Sequence, residues 1–536
     1  MMTLGFMLGA GLLAISGYLV SWLIYCRTFH PLSKVPGPFW PSVTRLWLTY
    51  AVSRGDLDVV QRELHKTYGP LVRIAPDEIA CADPEAIRKI YSTISPLNKT
   101  DFYHIWDVGA FSKYPHAFAT VEEKLHFERR RIVNSVYTMS TVLTLEPYID
   151  SCSRLFVERM VQRTVPDQAI DLGDWFLWYA YDVIGELFFG RSLGFIENCG
   201  DGGAFLASLE FMLPVLTTAA ASSPLVRGLI MGLFTLSSTA RKGLEGMNHV
   251  IETARTSVDD RVSSVAVSDK HDRKDLLHNL LTIVHSKGDE LDFGVEDVKN
   301  EAFAALTAGA DATMIELQAV FYYLAKNRSV YEELRNEVDH AAENGKLSEF
   351  PSYSEAVQLP LLKATVKEAL RLHPGVGFTM PRVVSQSGIE LSGIYIPPRW
   401  KVGMNAAVVG RDEGVYGLDA DTFRPERWIE RTDPNMDRCN NLVFGAGTRT
   451  CIGKQIALSE IYKFVPLLIR KFDFVLVDPN KSWTTHNYFF NKQSGLQVKV
   501  KPRGVGIVIN TTTVSFAEDA LDRSSLESVD EVLNKD

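Results

Sequence analysis

Apolar and polar positions divide the chain into a membrane-type run and a long helical region. Residues 1–25 carry no charged side chain, and a run of that length can cross a bilayer as a helix. From residue 121 to residue 327, apolar side chains recur mainly at helical spacing. Short extended segments are predicted at Leu71–Ala75, Glu78–Cys81, 388–396 and 496–500. The pattern predicts a mainly α fold with small β-sheets and a single N-terminal transmembrane helix.

Changes in composition indicate how the chain is divided. Prolines cluster just after the apolar run, at Pro31, Pro36, Pro38 and Pro41, and would stiffen the backbone there. After Arg503 the sequence turns acidic and has few large apolar side chains, which is typical of disorder. We therefore predict an anchor at 1–26, a Pro-rich linker at 27–45, one large helix-rich domain at 46–503 and an acidic, disordered tail at 504–536.

The charges beside the apolar run predict its orientation. Arg27, His30 and Lys34 follow the run, whereas no basic residue precedes it. By the positive-inside rule, the short N-terminus faces the lumen and the body faces the cytosol. The competing interpretation is a cleaved signal peptide, but the usual basic segment and a clear small-residue cleavage site are missing. In a eukaryote, a retained anchor predicts a single-pass protein of the endoplasmic reticulum membrane.

Charge and cysteine usage argue against two classes of protein. The formal net charge is −9, which gives a nucleic-acid partner no overall electrostatic support. The six cysteines are scattered without a C-x-x-C pair or a framework spacing, which argues against a disulfide scaffold. This usage fits a reducing compartment. We therefore expect a membrane-associated protein with no nucleic-acid partner.

The most informative motif is the cysteine loop, residues 444–453, which contains three glycines and Cys451 just before a helical pattern. Glycines permit tight turns and a close approach of the backbone to a flat group. The helix N-terminus and nearby Arg449 would favour the thiolate form of the cysteine. A thiolate on such a loop suits an axial ligand of haem iron, with backbone N–H groups free to tune the sulfur. The alternative is a buried structural cysteine.

A second motif lies on the helix predicted between Pro360 and His373. Glu368 and Arg371 are three residues apart and therefore share a face of that helix. Taken alone, they could form an ordinary ion pair worth a few tenths of a kcal/mol. A buried carboxylate between Arg371 and the more distant Arg427 would instead hold the body around the cysteine loop. Such a network is badly destabilised when one member is lost.

A third motif is a run of small residues at 301–313 within the long helical pattern. Gly309 in a helix interior costs about 1 kcal/mol relative to alanine. Small side chains would let a flat group pack against the helix or leave room for a small ligand. Asp311 and Thr313 in this apolar setting are candidate catalytic residues on a proton path. The alternative is close helix–helix packing in which Asp311 bonds to a neighbouring side chain.

A fourth motif is His126 followed by the basic run Arg129, Arg130 and Arg131. The usual interpretation of such a run is a solvated helix face. Guanidinium groups are also suited to bidentate contact with carboxylates. The two propionates at the edge of a haem would need donors of this kind.

In this order, the four motifs resemble the cytochrome P450 superfamily, from the anchor to Val500. The cysteine loop is similar to the pattern F-x-x-G-x-R-x-C-x-G, with matches at Phe444, Gly447, Arg449, Cys451 and Gly453. Glu368 and Arg371 match E-x-x-R, and Arg427 matches the arginine that completes the triad. The segments at 400–427 and 453–474 look most like the fungal secondary-metabolism branch, similar to pisatin demethylase-like enzymes.

The resemblance implies a cytochrome P450 fold and a haem b cofactor, iron protoporphyrin IX. It implies that Cys451 is the axial ligand of the iron and that Phe444 and Gly453 belong to the cofactor-binding loop. It also implies that the propionates are held by His126, which stands where the family often has tryptophan, with Arg130, Arg382 and Arg449. The resemblance further implies a structural network of Glu368, Arg371 and Arg427.

One position departs from the family pattern. The oxygen-binding helix of the family usually reads A/G-G-x-D/E-T-T/S, but Ala312 replaces the first threonine here, while Thr313 keeps the second. The missing hydroxyl normally helps to deliver protons. Three explanations stay open: Thr313 or water substitutes, a substrate hydroxyl supplies the group, or the chemistry departs from simple hydroxylation.

The resemblance implies a haem-thiolate monooxygenase that uses O2 and electrons from NADPH through a membrane-bound NADPH–cytochrome reductase, with cytochrome b5 as a further candidate donor. A positive surface at Arg129, Arg131, Lys454 and Lys463 would help that partner to dock. The expected substrate is a lipophilic polyketide, terpenoid or alkaloid intermediate. Its pocket is predicted at 102–118, 205–216, 376–380 and 488–491. Alternatives are a haem-thiolate isomerase or dehydratase that needs no reductase, and a non-catalytic haem-binding protein.

Overall fold

The computed structural model describes residues 2–107, 109–165, 167–200, 205–236, 238–267 and 273–504. Helices make up most of this part of the chain, and the strands form four small sheets. The tail predicted at 504–536 lies, apart from Gly504, outside the described residues.

The helices follow one another along most of the chain. The α-helices are α1 Met2–Ile24, α2 Phe39–Val43, α3 Leu46–Ser53, α4 Leu57–Tyr68, α5 Ile87–Ile90, α6 Glu123–Val133, α7 Met139–Thr144, α8 Glu146–Arg163, α9 Leu172–Ile184, α10 Phe195–Asn198, α11 Phe205–Ala221, α12 Pro224–Thr235, α13 Ser238–Val267, α14 Leu276–Leu291, α15 Val295–Lys326, α16 Arg328–Glu343, α17 Tyr353–Ala356, α18 Pro360–Leu372, α19 Ala406–Val409, α20 Glu413–Tyr416, α21 Arg427–Glu430, α22 Pro434–Asn441 and α23 Lys454–Lys471. Short 3-10 or π-helical segments occur at Tyr25–Phe29, Pro84–Ala86, Asp101–Trp106, Asn134–Tyr137, Gly185–Phe189, Leu442–Phe444 and Gly447–Arg449.

The strands are two to six residues long. They are β1 Leu71–Ala75, β2 Glu78–Cys81, β3 Ala169–Asp171, β4 Arg382–Val383, β5 Ile389–Leu391, β6 Ile394–Ile396, β7 Lys401–Gly403, β8 Phe472–Leu476, β9 Thr484–Tyr488, β10 Phe490–Ser494 and β11 Gln497–Pro502. The largest sheet has the order β1-β2-β7-β4, in which only the β2–β7 pairing is parallel. The others are β3-β11-β8, β9-β10 and β5-β6, all antiparallel.

The central element is α15, a helix of 32 residues that contacts α9, α13, α18 and α23. It begins where Asp297 accepts a hydrogen bond from the backbone N–H of Gly294 at 2.8 Å, and an acidic first turn also favours a helix start. From Thr313 to Tyr322 every residue is buried. The half of α15 before Thr313 is richer in small residues and leaves space beside the helix, which positions the cavity described below.

Several elements agree with the sequence predictions. The β1–β2 hairpin spans the two segments predicted as strands, and α18 and α23 coincide with the helices predicted around the E-x-x-R motif and after the cysteine loop. Strands β5 and β6 lie within 388–396, and β11 overlaps the predicted 496–500 but extends to Pro502. The mainly α architecture with small sheets is therefore confirmed.

The N-terminal helix projects from the body. Within the described residues, the stretch Gly9–Phe29 is long and apolar enough to cross a membrane, and nearly all of it is exposed. At its end, Trp22 donates a hydrogen bond from Nε1 to the carbonyl oxygen of Val43 at 3.0 Å. In the predicted linker, Leu32 and Val35 are buried in a hydrophobic cluster beside the largest sheet. The Pro-rich segment therefore packs on the body and fixes the point at which α1 leaves it.

Candidate active site

A cavity of about 550 Å³ lies between α15 and the cysteine loop. On the α15 side, its wall includes Ala308, Gly309 and Ala312, which carry small side chains. Cys451 belongs to the wall formed by the cysteine loop. The volume falls within the range of small-molecule sites, so a ligand can lie between the helix and the thiol.

The cysteine loop is shaped by close backbone contacts. Gly447 has a φ of +68°, and a Cβ atom at this position would lie 2.2 Å from the carbonyl oxygen of Tyr91. Only glycine tolerates both conditions without a shift of the backbone. The backbone N–H of Cys451 donates to the carbonyl oxygen of Phe444 at 2.7 Å, and α23 begins three residues after the cysteine. The sulfur is therefore held just before a helix N-terminus.

The Cys451 side chain has accessible surface, and it contributes to the lining of the cavity. Burial raises the pKa of this thiol, while the backbone N–H groups of Gly453 and Lys454 and the positive charge of Arg130 act in the opposite direction. The protein groups alone thus favour the neutral thiol, although a bound metal cation would reverse that preference. The predicted help from Arg449 is not found, because its Nε donates to Glu123 Oε2 at 2.7 Å.

The four predicted propionate contacts all line the cavity: His126, Arg130, Arg382 and Arg449. His126 is buried, its Nδ1 has no hydrogen-bond partner, and this nitrogen lies 3.7 Å from Glu123 Oε1. Burial lowers the pKa of His126 to about 4. Arg382 donates from Nη1 to the hydroxyl of Tyr103 at 2.9 Å. An unsatisfied imidazole nitrogen beside several guanidinium groups suits an anionic ligand.

The predicted ion network forms in full. Glu368, Arg371 and Arg427 are each 0% exposed. Arg371 donates to both oxygens of the Glu368 carboxylate, at 2.9 and 2.8 Å, and Arg427 donates to Oε1 at 2.9 Å. The indole of Trp428 and the backbone N–H of Arg424 complete the shell around this carboxylate, at 2.8 and 2.9 Å. The network joins α18 to the segment around α21, as predicted.

The predicted oxygen-binding helix contains no free hydroxyl at the expected place. Ala312 lines the cavity with a methyl group. Thr313 also lines the cavity, but its hydroxyl donates to the carbonyl oxygen of Gly309 in the same helix at 3.1 Å. This back-bonding satisfies the hydroxyl within α15.

Asp311 is buried and belongs to an ion chain. Its Oδ1 lies 3.0 Å from Nζ of Lys492 in β10, and Lys492 in turn lies 3.3 Å from Glu210 in α11. Burial lowers the pKa of Lys492, but Asp311 and Glu210 together raise it above its usual value. Because Glu210 is exposed, the chain connects the cavity wall with the protein surface. The sequence did not identify Lys492 as the partner, since it lies far along the chain from Asp311.

Each of the four segments predicted for the substrate pocket contributes to the wall. The contributions include Trp106 and Phe118, Met212 and Leu216, Val376 and Phe378, and Phe489 and Phe490. The rings of Phe102 and Phe378 stack at 5.2 Å between their centroids. The wall also includes residues that the sequence did not single out, among them Ile184, Phe188, Met231 and Met247. The site therefore has a largely apolar side opposite the thiol.

Three carboxyl groups in the cavity wall were missed by sequence reasoning: Glu301, Glu316 and Glu460. Burial raises the pKa of Glu301 to about 7, and this side chain accepts a hydrogen bond from the Tyr137 hydroxyl at 3.2 Å. Burial raises the pKa of Glu316 to about 8. The pKa of Glu460 is also raised, mainly by burial and to a smaller extent by the charge of Glu316. The sequence contained a usable signal, because Glu316 is a single acidic residue among the apolar residues Met314, Ile315 and Leu317.

The positive surface predicted for partner docking is only partly present. Lys463 is 3% exposed and its Nζ lies 2.9 Å from Asp150. Arg129 lies 2.7 Å from Asp297. Both cations are therefore neutralised by neighbouring carboxylates, as buried charges require. The prediction was wrong for these two residues, whereas Arg131 is exposed.

The residues of the cavity fit a haem. Small side chains on α15 leave room for a flat ring, and Cys451 lies on the other wall. The unsatisfied Nδ1 of His126 and the nearby guanidinium groups would meet the carboxylates of the ring. Thiolate ligation of haem iron is the arrangement that such a donor set supports.

Comparisons with known proteins agree with this geometry. A sequence profile of the family Cytochrome P450 matches residues 35–500. The chain is 85% identical to Cytochrome P450 monooxygenase gsfF of Penicillium aethiopicum, over 94% of this chain and 100% of that protein. It is 34% identical to Cytochrome P450 monooxygenase cicH of Emericella nidulans, over 88% and 94% of the two chains. It is 30% identical to Pisatin demethylase of Fusarium vanettenii, over 92% and 93%.

These matches cover the body and all four motifs, so they confirm the resemblance inferred from the sequence. The cofactor of this family is haem b. The chain belongs to the cytochrome P450 family of haem-dependent monooxygenases.

Proposed function

We propose that this protein is a membrane-anchored monooxygenase that oxidises a lipophilic secondary-metabolite intermediate of polyketide, terpenoid or alkaloid type. It would use O2 and electrons from NADPH, delivered by an NADPH–cytochrome reductase, with cytochrome b5 as a further donor. The observation that carries this proposal is the placement of Cys451 and the predicted pocket segments around one cavity. The similarity to fungal monooxygenases supports the class of reaction.

Haem bound in this cavity would supply the oxidising chemistry, and the protein residues would supply binding and orientation. Cys451 would ligate the iron, with the N–H groups of Gly453 and Lys454 directed at the sulfur. His126, Arg130, Arg382 and Arg449 would hold the propionates, and Phe444 would pack in the cofactor-binding loop. Glu368, Arg371 and Arg427 would keep the segment before the cysteine loop in place.

Asp311 and Thr313 would handle protons at the wall of the cavity. The ion chain from Asp311 through Lys492 to Glu210 offers a connection with solvent. The Thr313 hydroxyl can donate to a cavity oxygen only if it releases the carbonyl of Gly309. Proton handling at Thr313 would therefore require a rotamer change.

The apolar wall would select the substrate by shape. Trp106, Phe118 and Phe489 line the cavity within ring-contact distance of one another, with centroid separations of 5.2 to 6.1 Å. One methylene in such a wall changes discrimination by about 1–3 kcal/mol. A small number of side chains would therefore decide which ring system is accepted.

The N-terminal helix would place this site at a membrane. We propose that residues 1–26 anchor the protein in the endoplasmic reticulum, that 27–45 connect the anchor to the body, and that 46–503 form the cytosolic catalytic domain. The exposed apolar stretch Gly9–Phe29 and the buried contacts of Leu32 and Val35 support this division. A lipophilic substrate would then reach the cavity from the lipid phase.

A direct test compares the metabolites of fungal strains with and without the gene, and then supplies the accumulated intermediate to membranes that contain this protein and a reductase. We expect a product that gains oxygen only when NADPH and O2 are both present. Cys199 lies outside the cavity, so the variant Cys199→Ser should leave turnover unchanged and is the matched control for the Cys451 variant described next. Turnover without either co-substrate would contradict the proposal.

Cys451→Ser is expected to abolish turnover and the absorption spectrum that thiolate ligation gives to the reduced, carbon monoxide-bound protein. A serine hydroxyl is a much weaker anion donor than a thiol, since the thiolate is the species that binds the metal. Full activity of Cys451→Ser would refute the assignment of the ligand.

The second candidate is a haem-thiolate isomerase or dehydratase, which the methyl group of Ala312 and the engaged hydroxyl of Thr313 favour. Such an enzyme would convert the intermediate without reductase. Its product would have an unchanged mass or would lose water. The same membrane assay, carried out without NADPH, distinguishes the two candidates.

A further inference from the structure

Two acidic side chains in the cavity wall have no cationic partner among the residues that the structure describes. Glu316 lies on α15 and Glu460 on α23, and they are 3% and 1% exposed. Both line the cavity that contains Cys451. Within the described ranges, neither carboxyl forms an ion pair, and the Oε2 atom of each is buried without a hydrogen-bond partner. Buried polar groups normally have a hydrogen-bond partner, so the partners of these two carboxyl groups are expected to be water or a molecule in the cavity.

Other buried acids of this protein show the usual arrangement. Glu368 is surrounded by two arginines, and Asp275 lies 2.8 Å from a guanidinium nitrogen of Arg261. An isolated carboxylate is strongly disfavoured in such surroundings, and a buried acid without a cation therefore keeps its proton. Glu316 and Glu460 influence each other electrostatically, which makes simultaneous ionisation still less favourable.

The groups expected to donate protons at this site are engaged elsewhere. Position 312 has no hydroxyl, and the Thr313 hydroxyl donates to Gly309. The Asp311 carboxyl is engaged in an ion pair with Lys492, whose Nζ lies 3.0 Å from its Oδ1. Glu316 lies one helical turn after Ala312 on α15 and lines the same cavity.

We propose that Glu316 and Glu460 together hold a proton at the cavity wall and serve as the internal proton donor of the site. The O–H bond of the protonated carboxyl breaks, the proton passes to an oxygen atom of water or substrate in the cavity, and the bonding electron pair stays on the carboxylate. A proton from solvent then restores the pair. This inference rests on the proposed function, because it assigns the source of protons for the same reaction.

The first test measures the proton directly and needs no turnover. Infrared difference spectra of the haem-loaded full-length protein, recorded between neutral and alkaline buffer, report the carbonyl stretch of protonated carboxyl groups. We expect this band to lose amplitude in Glu316→Gln and in Glu460→Gln. Glu301, which is also protonatable, leaves a residual band in both variants. An unchanged band in both variants would overturn the inference.

A matched control is Glu146→Gln on α8. The Glu146 carboxylate accepts a hydrogen bond from the backbone N–H of Tyr353 at 2.7 Å and lies 3.6 Å from Lys463, so a cation and a donor are both present. We expect the protonated-carboxyl band of this variant to match that of the unmodified protein. The control separates loss of a protonated acid from a general effect of replacing a partly buried glutamate.

The second test asks whether the proton is delivered. In membranes with reductase, NADPH and the accumulated intermediate, we expect Glu316→Gln to release a several-fold larger share of its electrons as hydrogen peroxide. An unchanged share in Glu316→Gln and Glu460→Gln would overturn the donor role even if the infrared band were lost. If Glu316→Gln fails to load haem, Glu460→Gln carries both measurements. Absence of oxygen-dependent turnover in the unmodified protein would instead refute the proposed function and leave the infrared result standing.

Discussion

The two faces of the cavity are held by different interactions. Behind the cysteine loop, the carboxylate of Glu368 is enclosed by Arg371 and Arg427, and all three are completely buried. On the opposite face, a partly exposed ion pair connects Asp101, in the 3-10 segment Asp101–Trp106, with Arg227 of α12, and the ring of Phe102 stacks on that of Phe378. Helix α12 has many exposed apolar residues and no buried one. We call these regions the cysteine face and the substrate face.

The difference shows where the protein tolerates change. A buried charge network depends on every member, because removal of one partner leaves the others uncompensated in a low-dielectric environment. Apolar contacts and surface ion pairs are individually weak and can be replaced by similar contacts. The cysteine face therefore suits a fixed platform for the cofactor, and the substrate face suits variation between substrates.

The largest effect is expected when the cysteine face is broken. Glu368→Gln removes the negative charge that compensates two buried guanidinium groups, and it should lower the free energy of unfolding by roughly 3–5 kcal/mol. The measurements are the midpoint of chemical unfolding and the fraction of purified protein that contains haem. We expect both to fall sharply.

The control for this prediction is Glu430→Gln. Glu430 lies 3.0 Å from Arg424 in an ion pair that is largely exposed. Loss of an exposed pair typically changes stability by about 1 kcal/mol or less. Equal effects of Glu368→Gln and Glu430→Gln would mean that burial of the network is not what stabilises the cysteine face.

A second effect is expected at the junction of the two faces, where His373 follows α18. His373 is buried, its ring contacts Trp483, and its Nε2 lies 2.8 Å from the carbonyl oxygen of Asn491 in β10. Burial lowers the pKa of His373 from 6.5 to about 4. The unfolded chain therefore binds a proton on this residue between those pH values, whereas the folded protein does not.

Stability from His373 is thus fully present above about pH 6.5 and is lost progressively as the pH falls towards 4, by roughly 3 kcal/mol in total. In His373→Gln, the free energy of unfolding should vary less steeply with pH in this window, by about one proton. Urea unfolding at a series of pH values measures the slope. An unchanged slope would show that His373 is protonated in the folded protein. Replacement of the exposed His340 by glutamine is the control and should leave the slope as it is.

A smaller effect is expected when an ion pair of the substrate face is removed. Arg227 at the start of α12 lies 2.9 Å from Asp101 and donates from Nε to the carbonyl oxygen of Ala219 in α11 at 3.1 Å. It thus connects α12, α11 and the segment that carries Phe102. Arg227→Gln should change stability by about 1 kcal/mol or less, because both side chains are partly exposed.

The same change should increase the association and dissociation rates of a bulky azole ligand by several-fold, since the segments covering the cavity would separate more readily. Rapid-mixing absorbance measurements on the haem-loaded protein report both rates. Arg54→Gln is a suitable control, because Arg54 forms an exposed pair with Asp56 at 2.5 Å outside this connection. Unchanged rates in Arg227→Gln would indicate that ligands enter by another route.

The sequence predicted local motifs better than the tertiary contacts between distant segments. The spacing of Glu368 and Arg371 and the glycines around Cys451 are local signals, and each was found in the expected contacts. The Asp311–Lys492 pair depends on how β10 packs against α15, and no local pattern encodes that packing. The predicted role of Lys463 as a surface charge failed for the same reason, because burial beside Asp150 is a tertiary property.

The smallest expected effect concerns Ala312, which lies where α15 passes the cavity. Ala312 lines the cavity, so a threonine at position 312 can direct its additional atoms into that space. In Ala312→Thr, the new hydroxyl would add a second group to the cavity wall that can pass on a proton, beside Glu316. We therefore expect a modest decrease in the share of electrons released as hydrogen peroxide. Ala304→Ser, which adds a hydroxyl to the same wall two turns earlier on α15, should leave this share unchanged. An equal effect of both variants would mean that the share of electrons lost to hydrogen peroxide depends on added polarity and not on the position of the hydroxyl. An unchanged share in Ala312→Thr would mean that position 312 has no part in proton delivery.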